Sequence, residues 1–246
     1  MIIAIANQKG GVAKTTTALN LGAGLSREGY KTLLVDLDSQ TDLTIGLGIP
    51  KTKYTIDDVL NGKDITKAII KLEGGPDIIP ASPDLKATQL NLTKPDILVK
   101  ALSGIKRSYD FILIDTNPGT TILTVNALLA SNMILIPITP EYLALRGLRD
   151  FMETIEQLNN RFDITPAKVK VLITNHDMRK GLHREAGELI QENFKKELLK
   201  TRIRTNVALA EAVSHHKSIF EYRPASHGSQ DYNSLVKEII KEVKKQ

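Results

Sequence analysis

The opening residues narrow the fold more than any other stretch of the chain. An apolar run, Ile2-Ile3-Ala4-Ile5-Ala6, leads directly towards Lys9-Gly10-Gly11-Val12-Ala13-Lys14-Thr15-Thr16-Thr17, after which Ala18, Leu19, Leu21, Ala23 and Leu25 suit the buried faces of a helix. Strand, glycine turn and helix together make an anion cradle. Gly10 and Gly11 let the backbone curl so that successive N–H groups and the positive helix end face one point, Lys14 adds a charge for terminal phosphates, and the Thr15 hydroxyl suits magnesium. The ordinary phosphate-loop spacing G-x-x-x-x-G-K-[ST] fails, because Gln8 and Ala13 stand where its glycines belong. The string that fits is K-G-G-x-x-K-[ST].

Short runs rich in Ile, Val and Leu then alternate with amphipathic stretches, the pattern of buried parallel strands between helices. The spacing predicts strands at Ile2–Ala6, Thr32–Leu37, Asp77–Ala81, Phe111–Thr116, Met133–Thr139 and Val169–Asn175, with Arg202–Ile203 ending a weaker seventh. Helices are expected at Lys14–Glu28, Asp84–Ile105, Thr121–Ala130, Tyr142–Arg161, Leu182–Leu199 and Tyr232–Lys245, with Pro95 bending or splitting the second. The fold class is therefore α/β: a doubly wound, mostly parallel sheet with helices on both faces. With 246 residues, 41% hydrophobic, and no repeat or linker-like tract, a single domain over 1–246 is expected, without a helix-turn-helix module ahead of the first strand.

Two strand ends carry acids. Asp36 and Asp38, in Leu33-Leu34-Val35-Asp36-Leu37-Asp38-Ser39-Gln40, fall where open α/β sheets bind ligands, and they also fit an acidic strand end that caps the next turn. Asp115 closes Phe111-Ile112-Leu113-Ile114, an apolar strand ending in an acid of the kind that holds magnesium directly or through water. No cysteine is present, which excludes disulfides, thiolate metal sites and cysteine nucleophiles. His183, His215, His216 and His227 have no metal spacing with acids. The first residues lack a signal peptide's basic start and long apolar run, so a cytoplasmic protein is expected. A net charge of +5 permits nucleic-acid or acidic-lipid binding without requiring either.

The loop K-G-G-x-x-K-[ST], with Lys9 as its first lysine, resembles the deviant Walker A motif of the ParA/MinD ATPases. The Asp36-to-Gln40 segment resembles that family's D-x-D-x-Q switch, and Thr124–Leu128 and Pro140–Leu148 look like ParA/Soj sequence in the same order. Thr174–Arg179, and Asn206 with Glu211 and Ser214, extend the likeness over most of the chain. It implies an ATP hydrolase with ATP and Mg2+ as cofactors, slow and stimulated by a partner. Two subunits would close face to face, Lys9 reaching across to the partner's phosphates.

In that scheme Lys9, Lys14 and Asp38 are catalytic, Asp38 orienting the attacking water. Thr15, Asp36, Asp38 and Asp115 form or support the metal site. Gly10, Gly11, Val12, Ala13, Lys14, Thr15 and Thr16 bind phosphate, while Asn175 and Asn206 contact the base, unless these two merely form turns. The chain departs from the family at Ala13, usually Gly and tolerable as Ala only with negative φ, and at Thr116-Asn117-Pro118-Gly119, where D-x-P-P-S is usual and Pro118 matches the second proline.

Soj-like proteins bind DNA without sequence preference. Arg179 falls where one contact arginine lies and Ala208 replaces another, so a rebuilt surface is expected from Arg179, Lys180, Arg184, Arg202, Arg204, Lys217 and Arg223. The expected partners are a second copy, nonspecific DNA and a ParB-type centromere-binding protein, with the protein associated with DNA or the nucleoid and not with membrane. The alternative is a MinD-like positioning ATPase. Its membrane helix would be Leu235–Gln246, which has an apolar stripe but no Phe or Trp and carries two acids. Iron–sulfur relatives need the missing cysteines, and a metabolic ligase on the same fold stays open.

Overall fold

The computed structural model describes residues 1–163 and 165–245; Gln246, the last residue of the C-terminal stretch, lies outside them. Strands β1 (Ile2–Ile5), β2 (Thr32–Leu37), β3 (Asp77–Ile79), β4 (Phe111–Thr116), β5 (Met133–Ile138), β6 (Lys168–His176) and β7 (Leu198–Arg204) form one sheet in the order β3-β2-β4-β1-β5-β6-β7. Every ladder between them is parallel, and an isolated antiparallel bridge joins Ile70 to Ile78. The helices are α1 (Lys14–Arg27), α2 (Asp42–Gly46), α3 (Ile56–Leu60), α4 (Leu85–Asn91), α5 (Ile97–Ser103), α6 (Ile122–Ala130), α7 (Ala144–Phe162), α8 (Gly181–Asn193), α9 (Val207–Ser214), α10 (Ile219–Tyr222) and α11 (His227–Val243), with a 3-10 turn at Ile65–Ala68.

Successive side chains of a strand leave on opposite faces, so the continuous apolar runs feed two cores. Ala4, Val35, Ile114 and Ile136 meet Leu98, Leu123 and Phe151 on one face. Ile3, Leu34, Leu113 and Leu135 meet Leu19, Leu21 and Tyr232 on the other. Helix α1 lies hard against that second face: a Cβ at Gly22 would stand 2.6 Å from Leu34 Cδ2, so glycine permits the close approach. β1 is central, flanked by β4 and β5: the chain runs from it to β2 and β3 on one side, returns to β4 beside it, and then continues through β5, β6 and β7 on the other. A crevice opens at such a reversal, at the carboxyl ends of the strands, and the glycine turn after β1 sits there.

Pro95 does divide the expected long helix, into α4 and α5. The expected helix Leu182–Leu199 stops at Asn193; its last two residues open β7 instead, the weaker seventh strand expected to end at Arg202–Ile203, which runs to Arg204 at the sheet edge. Its buried Leu199 and Ile203 alternate with polar residues, and the Glu238 carboxylate on α11 accepts from the Lys200 N–H at 2.7 Å and the Thr201 N–H at 2.8 Å. An acid from a distant helix thus stands in for the missing neighbour strand. The last helix starts earlier than expected, where Ser226 accepts the Ser229 N–H at its N-terminus. Its apolar residues Tyr232, Leu235, Val236 and Ile239 are buried in the second core. Among the described residues no helix is long and apolar enough to cross a membrane.

Candidate nucleotide site

Residues 6–13 link β1 to α1, and contacts with β4, β5 and β6 hold this loop and the strand that leads into it. Asn7 donates from Nδ2 to the Pro137 carbonyl at the end of β5 (2.7 Å) and accepts the Lys9 N–H at 3.0 Å. The Thr174 hydroxyl, on β6, donates to the Val12 carbonyl at 3.1 Å, and the Thr116 hydroxyl, on β4, donates to that of Ile5 at 3.0 Å. Gly11 takes φ +73°, and so, unexpectedly, does Ala13 enter the left-handed region, at φ 65° and ψ 36°. The expectation of negative φ at Ala13 is overturned. A methyl side chain there costs roughly 1–2 kcal/mol, which the tethers on either side offset. Ala13 offers no side-chain cap and the first turn of α1 holds no acid, so its N–H groups remain available to an anion. Lys14 is buried and donates from Nζ to the Lys9 carbonyl at 3.0 Å. Burial lowers its pKa, opposed by Asp115 and Asp38.

The two strand-end acids differ sharply. Asp36 and Asp115 are register partners on β2 and β4, 0% and 1% exposed. Both oxygens of Asp36 are engaged: Oδ1 accepts the Asp38 N–H at 3.1 Å, and Oδ2 accepts the Thr44 N–H at 2.9 Å and hydroxyl at 2.6 Å. Burial still outweighs these bonds and pushes its pKa up to about 6. Among the described residues neither oxygen of Asp115 accepts a well-formed hydrogen bond. Burial holds its pKa well above the usual range, Asp36 and Asp38 add to this, and the neighbouring Thr15 hydroxyl and Lys14 oppose it.

The buried Asp115 carboxyl, with the Thr15 hydroxyl and Asp38 beside it, offers oxygens that could hold a divalent cation, and the Lys14 ammonium next to them suits phosphate. Among the described residues no three acids or histidines form a self-sufficient metal cage. That suits magnesium, which takes one or two protein oxygens and leaves its other positions to phosphate and water. Asp38 accepts the Gln40 N–H on Oδ1 at 3.0 Å.

The cleft above the loop, ≈ 350 Å³, is lined by Gly11, Ala13, Lys14, Thr15, Thr16 and Asp38 at the phosphate end and by Asn175 and Asn206 at the other. Of the remaining expected phosphate residues, Val12 turns its side chain into the core, and Gly10 lies beneath Pro118, whose Cγ would be 3.7 Å from a Cβ there. Asn175 and Asn206 do turn work and line the cleft as well: Asn175 has φ 50°, and Asn206 caps α9 by accepting the Ala208 N–H at 3.0 Å. Sequence reasoning missed Asp42, Ile203, Leu209, Ala210 and Tyr232, which complete the walls. Tyr232 also ties α11 to α1 through Thr17, oxygen to oxygen 3.2 Å. The Asn117-Pro118-Gly119 turn is fastened to α6, since Asn117 Oδ1 accepts from the Thr121 and Thr124 hydroxyls at 3.2 and 3.1 Å.

Lys9 does not line its own cleft; its ammonium pairs with Glu141, and both side chains are half-exposed. The basic residues fall into separate groups. Arg179, Lys180 and Arg184 share the β6–α8 turn and the first turn of α8, and Arg202 packs against the same helix through Gln191 (2.9 Å). Lys217 and Arg223 flank α10. Arg179 grips Asp177 with two 2.9 Å bonds, holding that carboxyl far below its usual range, and Arg204 is held by Asp231 at 2.6 Å.

The matching family model, an AAA domain, covers residues 1–171. The chain is 40% identical to the sporulation initiation inhibitor protein Soj of Bacillus subtilis (strain 168), over 97% of this chain and 97% of that protein. It is 38% identical to the chromosome partitioning protein ParA of Caulobacter vibrioides, over 97% of this chain and 93% of that one. Among solved structures it resembles cobyrinic acid a,c-diamide synthase from Mycobacterium smegmatis with bound ATP analogue and magnesium, at TM-score 0.83 and 28% identity over 99% of this chain and 95% of that one.

Proposed function

The chain belongs to the Soj/ParA family of partition ATPases, and on that premise we propose that it is an ATP-driven switch for DNA segregation, closed as a dimer by ATP and reopened by hydrolysis. The N–H groups of the loop and of α1 bind the phosphates, with Lys14 at the terminal ones. Thr15 and Asp115 would hold Mg2+, with Asp38 beside them and Asp36 acting through the Asp38 N–H it accepts. Magnesium, when bound, neutralises charge on the phosphates. Asp38, fixed by the Gln40 N–H, orients a water for attack, giving ADP and phosphate. Asn175 and Asn206 meet the base.

The observation that carries the switch reading is Lys9. A second loop lysine that is half-exposed and outside the cleft of its own subunit suits the phosphates of a facing one. Turnover is slow until a ParB-type, centromere-bound partner stimulates it. The closed dimer binds DNA of any sequence through the phosphate backbone, using the Arg179, Lys180 and Arg184 group, Arg202, and the Lys217 and Arg223 group; Arg204 joins only by leaving Asp231. On this reading the protein works in the cytoplasm, on DNA. The buried apolar stripe of α11 favours this reading over lipid insertion.

Fluorescence anisotropy of a random-sequence duplex, titrated under ATP, ADP and no nucleotide, tests it. Binding should need ATP, fall linearly on a log–log plot against salt, and vanish in Lys14→Ala. Equal binding without ATP, or none at low salt with ATP, refutes the DNA switch.

A further inference from the structure

Resting on the reading of Lys9 as the lysine that reaches a second subunit, we infer that Glu141 is a positioning residue that parks Lys9 in the single subunit and thereby sets how readily two copies close. Both ends of the Lys9 backbone are fixed: its N–H donates to Asn7 Oδ1 at 3.0 Å and its carbonyl accepts Lys14 Nζ at 3.0 Å. Only the side chain can swing. Glu141 is presented from an equally fixed turn between β5 and α7, its N–H donating to the Thr139 carbonyl at 2.8 Å and its carbonyl accepting the Ala144 N–H at 2.9 Å. The turn's next residues, Tyr142 and Leu143, are 87% and 70% exposed, and Leu182 on α8 is 69% exposed. Glu141 and Tyr142 line one groove with Leu182. The parked lysine thus lies beside apolar ground that a second copy would cover, and its release and that burial belong to one event.

The exposure of the pair sets its strength. Lys9 and Glu141 are 51% and 52% exposed, so water competes with each partner and the pair shifts an equilibrium by roughly 1.5- to 5-fold. It is a latch that an incoming phosphate can open. A symmetric dimer must open two, so the effect on dimerisation is the square, roughly 2- to 25-fold.

The test is a double-mutant cycle on the full chain, reading the dimer Kd by sedimentation velocity with a non-hydrolysable ATP analogue and Mg2+. Glu141→Gln should tighten the dimer by that 2- to 25-fold, leave analogue affinity unchanged at concentrations below dimerisation, and have no effect on the dimer in a Lys9→Ala background. An unchanged or weaker dimer, altered monomer affinity, or the same tightening without Lys9 overturns the latch. The premise is read separately: if Lys9→Ala alone dimerises like the wild type, the trans role of Lys9 falls and the latch with it. If Lys9→Ala weakens the dimer and Glu141→Gln does nothing, only the latch falls.

Discussion

Asp36 and Asp115 sit opposite each other on neighbouring strands at the same depth, and they have been given opposite surroundings. Asp36 is met by three donors from its own chain, two of them on Thr44. Among the described residues none gives Asp115 a well-formed hydrogen bond, the Thr15 hydroxyl lying beside it. An unsatisfied buried carboxylate is costly, and a fold keeps one where something from outside completes it. The contrast separates an acid that organises the loop from an acid that waits for a ligand, although both stand at the end of an apolar strand and read alike in the sequence.

The largest effect should come from the bare acid. Asp115→Asn removes the charge that holds the cation and is expected to lower the rate of phosphate release by about 10³-fold. Asparagine keeps an oxygen beside the Thr15 hydroxyl, so the nucleotide-free protein should be about as stable as the wild type in thermal melts at pH 7. The stabilisation that Mg2+ with ATP confers on the wild type should largely disappear. A mutant that melts well below the wild type without nucleotide, or keeps the full Mg2+-dependent shift, would erase the distinction between the two acids.

Asp36→Ala should act the other way round, on the fold first. It strands the Thr44 N–H, the Thr44 hydroxyl and the Asp38 N–H in a buried place, at a cost of roughly 3 kcal/mol near pH 5. The cost depends on pH, and its sign follows from the raised pKa. The folded state holds the Asp36 proton up to about 6 whereas the unfolded chain releases it near 3.8, so wild-type stability from this group is highest below the lower value and falls as pH rises through the upper one. The mutant lacks that decline. Its deficit in denaturant melts should therefore shrink between pH 5 and pH 8, and a deficit that grows instead would mean that Asp36 is ionised comfortably in the native state.

Much of the phosphate end of the cleft was legible because its determinants are contiguous. An apolar run, two glycines and two lysines within a dozen residues specify strand, turn and helix, and Asp36 and Asp115 are marked by the strands they end. What escaped is carried by partners far along the chain. Tyr232 reaches Thr17 across 215 residues, and Glu141 reaches Lys9 across 132. The start of β7 was hidden because Leu198 and Leu199 continue the pattern of the helix before them, although its end at Arg202–Ile203 was marked, and the acid that completes this edge comes from α11. Ala13 was misjudged for the same reason. A local steric rule forbids its backbone geometry, and tethers from β5 and β6 to the loop around it impose that geometry all the same.

The smallest change bears most directly on how the two acids were made different. Thr44 is the residue that separates them: its hydroxyl donates to Asp36 Oδ2 and accepts the Ala81 N–H at 3.0 Å, so it satisfies one acid and anchors the end of β3. Thr44→Val keeps the shape and moves Asp36 part of the way towards the condition of Asp115. Two costs follow, with different pH behaviour. The Ala81 N–H loses its acceptor at every pH, about 1 kcal/mol. The bond to Asp36 favours the ionised carboxylate, so losing it raises the folded pKa further above about 6 and adds roughly another 1 kcal/mol only where the wild-type group is charged. The deficit of Thr44→Val should thus grow from pH 5 to pH 8, while that of Asp36→Ala shrinks over the same range. Opposite slopes from two contacts of one carboxylate have no source in general charge repulsion, which would tilt both variants alike; parallel slopes would mean that Thr44 does not tune Asp36.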